Sequence, residues 1–364
     1  MGSPIKRRRL IGASAGAVAG SLAAAPAIAD STPAIRWRMA SSYPKSLDTV
    51  FGEATLIADR VRALTDGKFD IRVFAAGEIV PPLQVLDAVQ NGTIECGHSA
   101  GFFYIGKQPA LVFDTGVPFG LTPRQHNAWM QHGGGLELMR EVYAAFNVIQ
   151  FPTGNTGAQM GGWFRKEIQT PDDLKGLRIR APGFVGRVYA KLGAVPQTIA
   201  GGDIFPALEK GTLDAVEWVG PYDDERLGLH KAAKFYYAPG VLELGASLCW
   251  IAGSNAWNAL PPLYQQALRS ACAEAATATI AKYDANNPPA LRRLIAAGAK
   301  LSYWPAGVMK AMQKVTYELL DESAGADPLF RKIYESWKAF RDEQHLWFAV
   351  NDGAAERFVY ANRA

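Results

Sequence analysis

Residues 207–221 read Ala-Leu-Glu-Lys-Gly-Thr-Leu-Asp-Ala-Val-Glu-Trp-Val-Gly-Pro, and residues 88–95 repeat the first part of this pattern as Ala-Val-Gln-Asn-Gly-Thr-Ile-Glu. Each copy has the end of a helix, a glycine suited to stop it, and the start of a buried strand. One such match can arise by chance, because helices that end at a glycine are common. The repetition nevertheless predicts two α/β lobes of similar plan.

The chain around the first copy alternates strands with helices. Period-two alternation predicts strands at 35–40 and 69–73, and apolar residues at three- and four-residue spacing predict a helix over 47–64. A short helix over 81–91 leads to a third strand at 94–96. This order favours a mostly parallel sheet covered by helices, so the predicted fold class is α/β. A chain of 364 residues is also long enough for two domains.

Candidate site residues follow the repeated strands. Ligands of open α/β sheets bind beyond the carboxyl ends of the strands, which here are followed by residues 98–104 and by Glu217-Trp218. The alternative is that Glu217 is a solvated strand residue and Trp218 a core residue. Arg180 ends a predicted strand, where a guanidinium can fork onto a carboxylate, or can be an exposed arginine without a ligand.

A third candidate segment is 155–164, Asn-Thr-Gly-Ala-Gln-Met-Gly-Gly-Trp-Phe. Its small residues allow close approach of the backbone, and the amides of Asn155 and Gln159 provide neutral oxygens. A Gln159 oxygen together with the Glu217 carboxylate would suit a hard cation such as Na⁺ or Ca²⁺.

As a set, these segments resemble the solute-binding proteins of tripartite ATP-independent periplasmic (TRAP) transporters, over essentially the whole chain after residue 29. The stretches Leu-Lys-Gly-Leu-x-x-Arg at 174–180 and Leu-Glu-Lys-Gly-x-x-Asp at 208–214 are typical of the superfamily. Glu217-Trp218 combined with Asn155 and Gln159 is similar to the branch that binds 2-oxo or 2-hydroxy monocarboxylates with a metal cation.

The resemblance implies a cation site formed by Gln159, Glu217 and Trp218, with side-chain oxygens from the first two and a backbone carbonyl from the third. The substrate would chelate the same cation through its carboxylate and 2-oxo oxygens. Because Glu217 is a single carboxylate and the ligand a monoanion, Na⁺ is favoured and Ca²⁺ stays open.

The resemblance also implies the substrate contacts. Arg180 corresponds to the arginine that pairs with the substrate carboxylate, Gln159 and Trp218 complete the pocket, and Asn155 and Tyr104 correspond to further contacts. Arg180 and the cation would neutralise the ligand while Glu217 balances the cation, so that a sealed cleft holds no uncompensated charge.

The fold that the resemblance implies has two α/β lobes that close around the ligand by a hinge motion. The expected lobe I comprises residues 30–153 plus 246–285, and lobe II comprises 154–245 plus 286–328. Residues 329–364 would form a C-terminal helical tail.

A long helix and the tail lie outside the repeated plan. Apolar spacing predicts a helix over 264–283 that breaks near Asn287-Pro288-Pro289. In the tail, residues 329–350 carry an amphipathic pattern beyond what the lobes require. Either this helix packs on its own lobe, or it pairs two copies into a homodimer, as in dimeric members of the branch that the chain resembles.

Residues 1–29 have the pattern of a secretory signal peptide: four basic residues at 6–9, an apolar stretch, and Ala-Ile-Ala at 27–29. The paired arginines also fit a twin-arginine (Tat) signal, and an anchoring helix is the less favoured alternative. The four basic residues account for the whole net charge of +4, since 34 basic and 34 acidic residues remain after them. A formally neutral periplasmic protein without a nucleic-acid footprint is therefore expected.

The predicted function is capture of a small 2-oxo or 2-hydroxy monocarboxylate with a cation and its delivery to a TRAP membrane permease, without catalysis. One alternative is an exported serine hydrolase, for which Gly-x-Ser-x-Gly at 12–16 and His132-Gly-Gly-Gly are the only signals, in the wrong order. A ligand-binding sensor subunit is another. The cysteines Cys96, Cys249 and Cys272 lack metal-ligand spacing, and buried free thiols are favoured over a disulfide.

Overall fold

A computed structural model describes residues 32–362, so the predicted leader lies outside the described residues. The strands, in chain order, are β1 (Ile35–Ser41), β2 (Phe69–Phe74), β3 (Cys96–Ser99), β4 (Val148–Asn155), β5 (Gly162–Phe164), β6 (Arg178–Arg180), β7 (Val195–Gln197), β8 (Ala215–Val216), β9 (Phe235–Ala238), β10 (Ser247–Gly253) and β11 (Lys300–Tyr303).

Helices surround these strands, and short 3₁₀ turns connect several of them. The helices are α1 (Val50–Leu64), α2 (Val85–Gln90), α3 (Val112–Thr115), α4 (Pro123–His132), α5 (Gly135–Ala144), α6 (Gly183–Lys191), α7 (Gly201–Glu209), α8 (Pro221–Leu227), α9 (Ser254–Asn258), α10 (Pro262–Ala296), α11 (Ala306–Ala326), α12 (Pro328–Val350) and α13 (Asp352–Ala361).

Two sheets of the same plan form the two lobes. The first has the order β2-β1-β3-β10-β4 and the second β7-β6-β8-β5-β9-β11. In each sheet a central strand pairs in parallel with two neighbours, and the next strand is antiparallel. The chain leaves the first sheet where β4 and β10 end their pairing at Asn155 and Ser247. The predicted α/β class with two lobes is confirmed, whereas the residue boundaries of the lobes stay a prediction.

The sequence repeat folds twice into the same turn. Gly92 and Gly211 both have left-handed backbone angles, with φ of 69° and 74°. After the first glycine, the N–H groups of Thr93 and Ile94 both donate to the carbonyl of Ala88, at 2.9 and 3.3 Å. Because Ile94 is still part of this turn, β3 begins at Cys96, two residues later than the predicted start of the strand.

The repeat extends to the residue that follows each turn. Asp214 accepts three hydrogen bonds from Arg178, from the backbone N–H, Nε and Nη2, at 2.7 to 3.0 Å. Glu95 accepts the same three from Arg38, at 2.7 to 3.1 Å. In both lobes, therefore, an arginine of the central strand, β1 or β6, pairs with an acidic residue just before the neighbouring strand, β3 or β8.

The long helix continues through its prolines, so the predicted break near Asn287 was wrong. Pro288 and Pro289 lie inside α10, although each removes one N–H donor from the helix. Packing beyond them compensates this loss, because Ala290 and Leu294 are fully buried. In addition, the Asn287 side chain accepts the backbone N–H of Tyr222 at 3.1 Å.

The C-terminal tail divides into a packed and an exposed part. Phe330 and Trp337 of α12 are buried against Phe113, with ring centroids 5.0 and 5.8 Å apart. Beyond them, Leu346, Trp347, Val350, Phe358 and Val359 are more than half exposed. The tail therefore packs on its own chain through its first half and presents an apolar surface through its second half.

Candidate functional site

The carboxyl ends of β6 and β8 and the segment after β4 meet at a small cavity that is lined by polar and apolar side chains. The polar side chains that line it are Tyr43, Thr156, Gln159, Arg180, Glu217 and Glu243. Its apolar wall includes Val50, Phe102, Phe103, Pro182, Trp218 and Leu248. The structure thus brings Arg180, Gln159, Glu217 and Trp218 together, from three separate parts of the sequence.

Arg180 is only 2% exposed, and hydrogen bonds hold its guanidinium in place. Its Nη1 donates to the backbone carbonyl of Glu217 at 2.7 Å, and its Nε donates to that of Ile199 at 3.3 Å. The guanidinium also stacks on the Trp218 ring, 4.7 Å from the centroid. Nη2 makes no hydrogen bond within the described chain, so one arm of the fork is left for a ligand.

The charged forms of Arg180 and Glu217 are not fully stabilised by each other. Burial lowers the pKa of Arg180 to about 10 and raises the pKa of Glu217 to about 8, although each partner favours the charged form of the other. Their closest side-chain atoms are 3.6 Å apart, which is too long for a good hydrogen bond. A carboxylate and a cation added to the cavity would complete this charge arrangement.

Gln159 places an amide group between oxygens. Its Nε2 donates to Thr156 Oγ1 at 2.9 Å, which leaves its other amide atom 2.7 Å from Glu217 Oε1 and 2.8 Å from the Trp218 carbonyl oxygen. With oxygen in that position, three oxygens would face one another without a proton between them, an arrangement that a bound cation would relieve. With the amide turned over, the nitrogen donates to both oxygens and Thr156 donates to the amide oxygen. The donor set therefore fits a hard cation, and the amide can also satisfy it without one.

Glu243 is a carboxylate of the cavity that the sequence analysis missed. Burial raises its pKa well above the usual range, and the neighbouring Glu217 raises it further. The backbone carbonyl of Glu243 accepts the Gln159 N–H at 3.3 Å, which places it beside the oxygen cluster. Its only signal in the sequence is that it is the one charged residue in the apolar run 241–252.

Tyr43 was also missed, although the rule that located Glu217 applies to it. It follows β1, and its hydroxyl is buried in the cavity wall without a hydrogen-bond partner in residues 32–362. A buried hydroxyl without a partner is costly, so Tyr43 is a candidate donor to a ligand.

Asn155 lies at the end of β4, next to the cavity lining. Its Oδ1 accepts the N–H of Gly157 at 3.0 Å, which shapes the loop that carries Gln159. Its Nδ2 is buried and has no partner within the described residues. Asn155 thus has a donor available, as its predicted role in substrate binding requires.

Tyr104 does not line the cavity, contrary to its predicted substrate contact. The 3₁₀ turn Gly101–Tyr104 carries its ring into the core, where the hydroxyl accepts the Leu86 N–H at 3.3 Å and shares a hydrogen bond with Ser99 at 2.8 Å. Its neighbours Phe102 and Phe103 reach the cavity instead. The sequence located the right turn and the wrong residue on it.

The hydrolase alternative finds no site in the described chain. Ser14 lies outside the described residues, and His132 is exposed at the end of α4, away from the cavity. Ser41, His98 and Glu53 do form a serine-histidine-acid chain, with distances of 3.3 and 3.1 Å. All three are at most 2% exposed, and none of them lines the cavity.

The cysteines and the acidic and histidine side chains of the described residues offer no further metal site. Cys96, Cys249 and Cys272 are free and buried, as favoured from their spacing. No group of three or more His, Cys, Asp or Glu side chains in the described residues is arranged to hold a metal ion. The oxygen cluster of the cavity is of another kind, because an amide and a backbone carbonyl belong to it. No described helix is both long and apolar enough to cross a membrane.

Comparison with known proteins places the chain among transport receptors. Residues 40–326 match the family of bacterial extracellular solute-binding proteins, family 7 (DctP). A monocarboxylate 2-oxoacid-binding periplasmic protein of Nostoc sp. strain PCC 7120 is 51% identical over 331 residues, which are 91% of either chain.

Two solved structures are similar over most of their length. A TRAP transporter solute-binding protein of Bordetella bronchiseptica RB50, a mixed-occupancy dimer with calcium and picolinate, is 52% identical with a TM-score of 0.90, over 91% of this chain and 98% of that one. Another from Pseudoalteromonas atlantica T6c, with sodium and pyruvate, is 38% identical with a TM-score of 0.85, over 88% and 98%. The chain therefore belongs to the bacterial extracellular solute-binding proteins of family 7, the TRAP receptor family that its sequence resembles.

Proposed function

We propose that the protein captures a small 2-oxo or 2-hydroxy monocarboxylate together with a metal cation and delivers it to a TRAP membrane permease. The observation that carries this proposal is a buried arginine with a free Nη2, next to an oxygen cluster, in one enclosed cavity. Arg180 takes the carboxylate, and Gln159, Glu217 and the Trp218 carbonyl hold the cation. Asn155 Nδ2 and the Tyr43 hydroxyl supply neutral donors.

The chelating geometry of the ligand follows from this arrangement. Pyruvate and picolinate, which the similar structures hold, both carry a carboxylate next to a second donor atom, a keto oxygen or a ring nitrogen. Such a pair closes a five-membered chelate ring on a cation, whereas a simple carboxylate offers only its own two oxygens. We therefore expect a 2-oxo or 2-hydroxy acid to bind more tightly than the carboxylate of the same length without that group.

The cavity walls limit the side chain of the ligand. Val50, Phe102, Phe103 and Leu248 form an apolar surface opposite the charged residues, which suits a short alkyl or a flat aromatic group. A second carboxylate at that wall would lie buried without a cationic partner. The proposed ligands are accordingly monocarboxylates.

The cation is held by a site that accepts either Na⁺ or Ca²⁺. The preference for Na⁺ relied on Glu217 as a single carboxylate, and Glu243 adds a second acidic group, which a bound cation would help to ionise, to the same cavity. The similar structures contain sodium in one case and calcium in the other. Glu243 is thus the residue that we expect to weigh one cation against the other.

A thermal-shift screen of the chain without its leader tests the proposed function. Pyruvate, lactate and other 2-oxo or 2-hydroxy acids are compared with propionate and succinate, each with Na⁺, with Ca²⁺ and after chelation. A tight ligand raises the melting temperature by mass action. Stabilisation by a 2-oxo or 2-hydroxy monocarboxylate only with a cation is expected. A screen without such a hit would refute the proposal.

Transport, and not catalysis or signalling, is the proposed outcome of binding. The family consists of receptors, and the serine-histidine-acid chain of this protein is buried and does not line the cavity. Uptake of the labelled acid into vesicles that contain the partner permease, dependent on added protein, is expected. Recovery of a chemically altered acid, or activity on a kinase without uptake, would favour the alternatives.

We further propose that the protein works in the periplasm, after removal of residues 1–29, and as a homodimer. The exposed apolar surface of α12 and α13 is the part of the fold that a second copy would cover. The mixed-occupancy dimer of the similar Bordetella protein supports this assembly. Mass determination of the exported protein tests the cleavage site, and light scattering tests the dimer.

A further inference from the structure

A buried carboxylate next to the cavity joins the two lobes. Asp223, in the first turn of α8, is 0% exposed and accepts hydrogen bonds on both oxygens. Thr49 Oγ1 donates to Oδ1 at 2.6 Å, and the Tyr283 hydroxyl donates to Oδ2 at 2.8 Å. These two donors are uncharged, and the Trp218 side chain adds a third interaction that favours the carboxylate.

The three residues belong to different parts of the fold. Thr49 immediately precedes α1, which packs against β2 of the first lobe. Asp223 is on α8, which packs against α7 of the second lobe, and Tyr283 is on the long helix α10. The hydrogen bond between Thr49 and Asp223 therefore crosses from one lobe to the other.

The Thr49 side chain makes this long-range hydrogen bond and does not cap α1. It is the N-cap residue of α1, where a threonine hydroxyl usually accepts a backbone N–H of the first turn. Its side chain makes no such bond and donates to Asp223 instead. The Phe51 N–H, which such a cap would take, is already bonded to the Leu47 carbonyl at 2.9 Å, so the Thr49 hydroxyl is available for the long-range bond.

Entry of a ligand has to separate these residues. The cavity is lined by Val50, the neighbour of Thr49, and by Val219, which lies four residues before Asp223. Arg180 and Gln159 are 2% and 5% exposed, so a ligand reaches them only when the lobes move apart. That motion draws Val50 away from Val219 and breaks the bond between Thr49 and Asp223.

We propose that Thr49, Asp223 and Tyr283 form an interlobe latch that stabilises the closed form and so slows release of the ligand without touching it. The inference rests on the proposed function, because it concerns closure around the same ligand. The latch residues are positioning residues: their contribution is made only in the closed form. A salt bridge of Asp48 with Lys282, at 2.8 Å, borders the latch on its solvent side and is half exposed.

The latch predicts a change in release rate and not in encounter rate. A group that stabilises only the closed form shifts the population toward it by its full interaction free energy. Loss of one hydrogen bond to a buried charge is expected to speed dissociation roughly tenfold. Association starts from the open form, whose population rises when the latch is lost, so association should be no slower than in wild type.

Stopped-flow measurements on Thr49→Val test the proposal, with pyruvate and saturating Ca²⁺ or Na⁺ as the probe. Valine keeps the shape of threonine and removes the donor. Thr49→Ser keeps the donor and should retain the wild-type dissociation rate. Glu225→Gln is the matched control, because Glu225 lies on the same helix and pairs with Arg293 of α10 at the surface.

Ligand-free hydrogen exchange provides a second readout. Faster exchange at 48–53 and 219–224 in Thr49→Val than in wild type is expected, and Glu225→Gln should match wild type. Absence of pyruvate binding by wild type would refute the proposed ligand, and the exchange data would still decide on the latch. If Thr49→Val dissociates and exchanges at the rates of wild type, the latch is refuted. It is also refuted if the variant has a lower melting temperature without ligand but an unchanged dissociation rate.

Discussion

Replacement of Arg180 by lysine is the sharpest test of the proposed site. Arg180 uses Nε and Nη1 for the backbone carbonyls of Ile199 and Glu217, and keeps Nη2 for the ligand. A lysine ammonium is a point charge without the planar fork, so it cannot serve the carbonyls and a carboxylate in the same geometry. The substitution keeps the positive charge and removes the directed hydrogen bond.

The magnitude follows from that lost bond. A hydrogen bond between charged groups in a buried site contributes about 1.5–3 kcal/mol. Affinity should therefore fall by roughly 10- to 150-fold, since each 1.4 kcal/mol corresponds to a factor of ten. The bonds to the two carbonyls are present with and without ligand, so their loss lowers the melting temperature of the ligand-free protein and not the affinity.

Calorimetric titration with pyruvate at saturating cation measures the effect. Arg178→Lys is the matched control, because Arg178 lies two residues earlier on the same strand and pairs with Asp214 at the surface. Methyl pyruvate, which lacks the carboxylate charge, should bind wild type weakly and lose little more in Arg180→Lys. Equal pyruvate affinity for wild type and Arg180→Lys would refute the assignment of Arg180.

Three further perturbations follow from the structure. Glu243→Gln removes an acidic group that a bound cation would help to ionise, so calorimetry should show a greater loss of affinity for Ca²⁺ than for Na⁺; equal losses would contradict its proposed role. Burial raises the pKa of Asp114 to about 7, well above its value of 3.8 in an unfolded chain, so the folded form holds its proton more tightly. Stability from this group is full below about pH 4 and is lost as the pH rises toward 7. In urea unfolding, the free energy of wild type should therefore fall relative to that of Asp114→Asn over that range, and a rise relative to the variant would contradict the prediction. Trp347→Ser combined with Val350→Ser should convert a dimer to a monomer in light scattering, while Leu263→Ser, which is equally exposed on α10, should not; an unchanged mass in the tail variant would exclude the tail as the interface.

Local patterns predicted the elements that depend on local interactions. Alternation located β1 to within one residue, and the helix over 47–64 begins three residues late as α1. The repeated Gly-Thr turns were predicted because a left-handed glycine and two N–H groups on one carbonyl are determined within six residues. The prolines of α10 show where prediction from local patterns fails, because packing against both lobes outweighs their local tendency to break the helix.

By itself, the sequence determined the α/β class, the repeated lobe plan, the formally neutral charge of residues 30–364, the positions of Arg180 and Glu217 at the ends of strands, and the candidate segment that contains Gln159. Only the tertiary structure decided that Glu243 and Tyr43 enter the cavity, that Tyr104 turns into the core, and that Thr49 reaches Asp223. The physical reason is distance along the chain. Hydrogen bonds and burial within a turn or a strand repeat with a fixed period, whereas contacts between residues 174 positions apart depend on how the crossing strands and α10 set one lobe against the other.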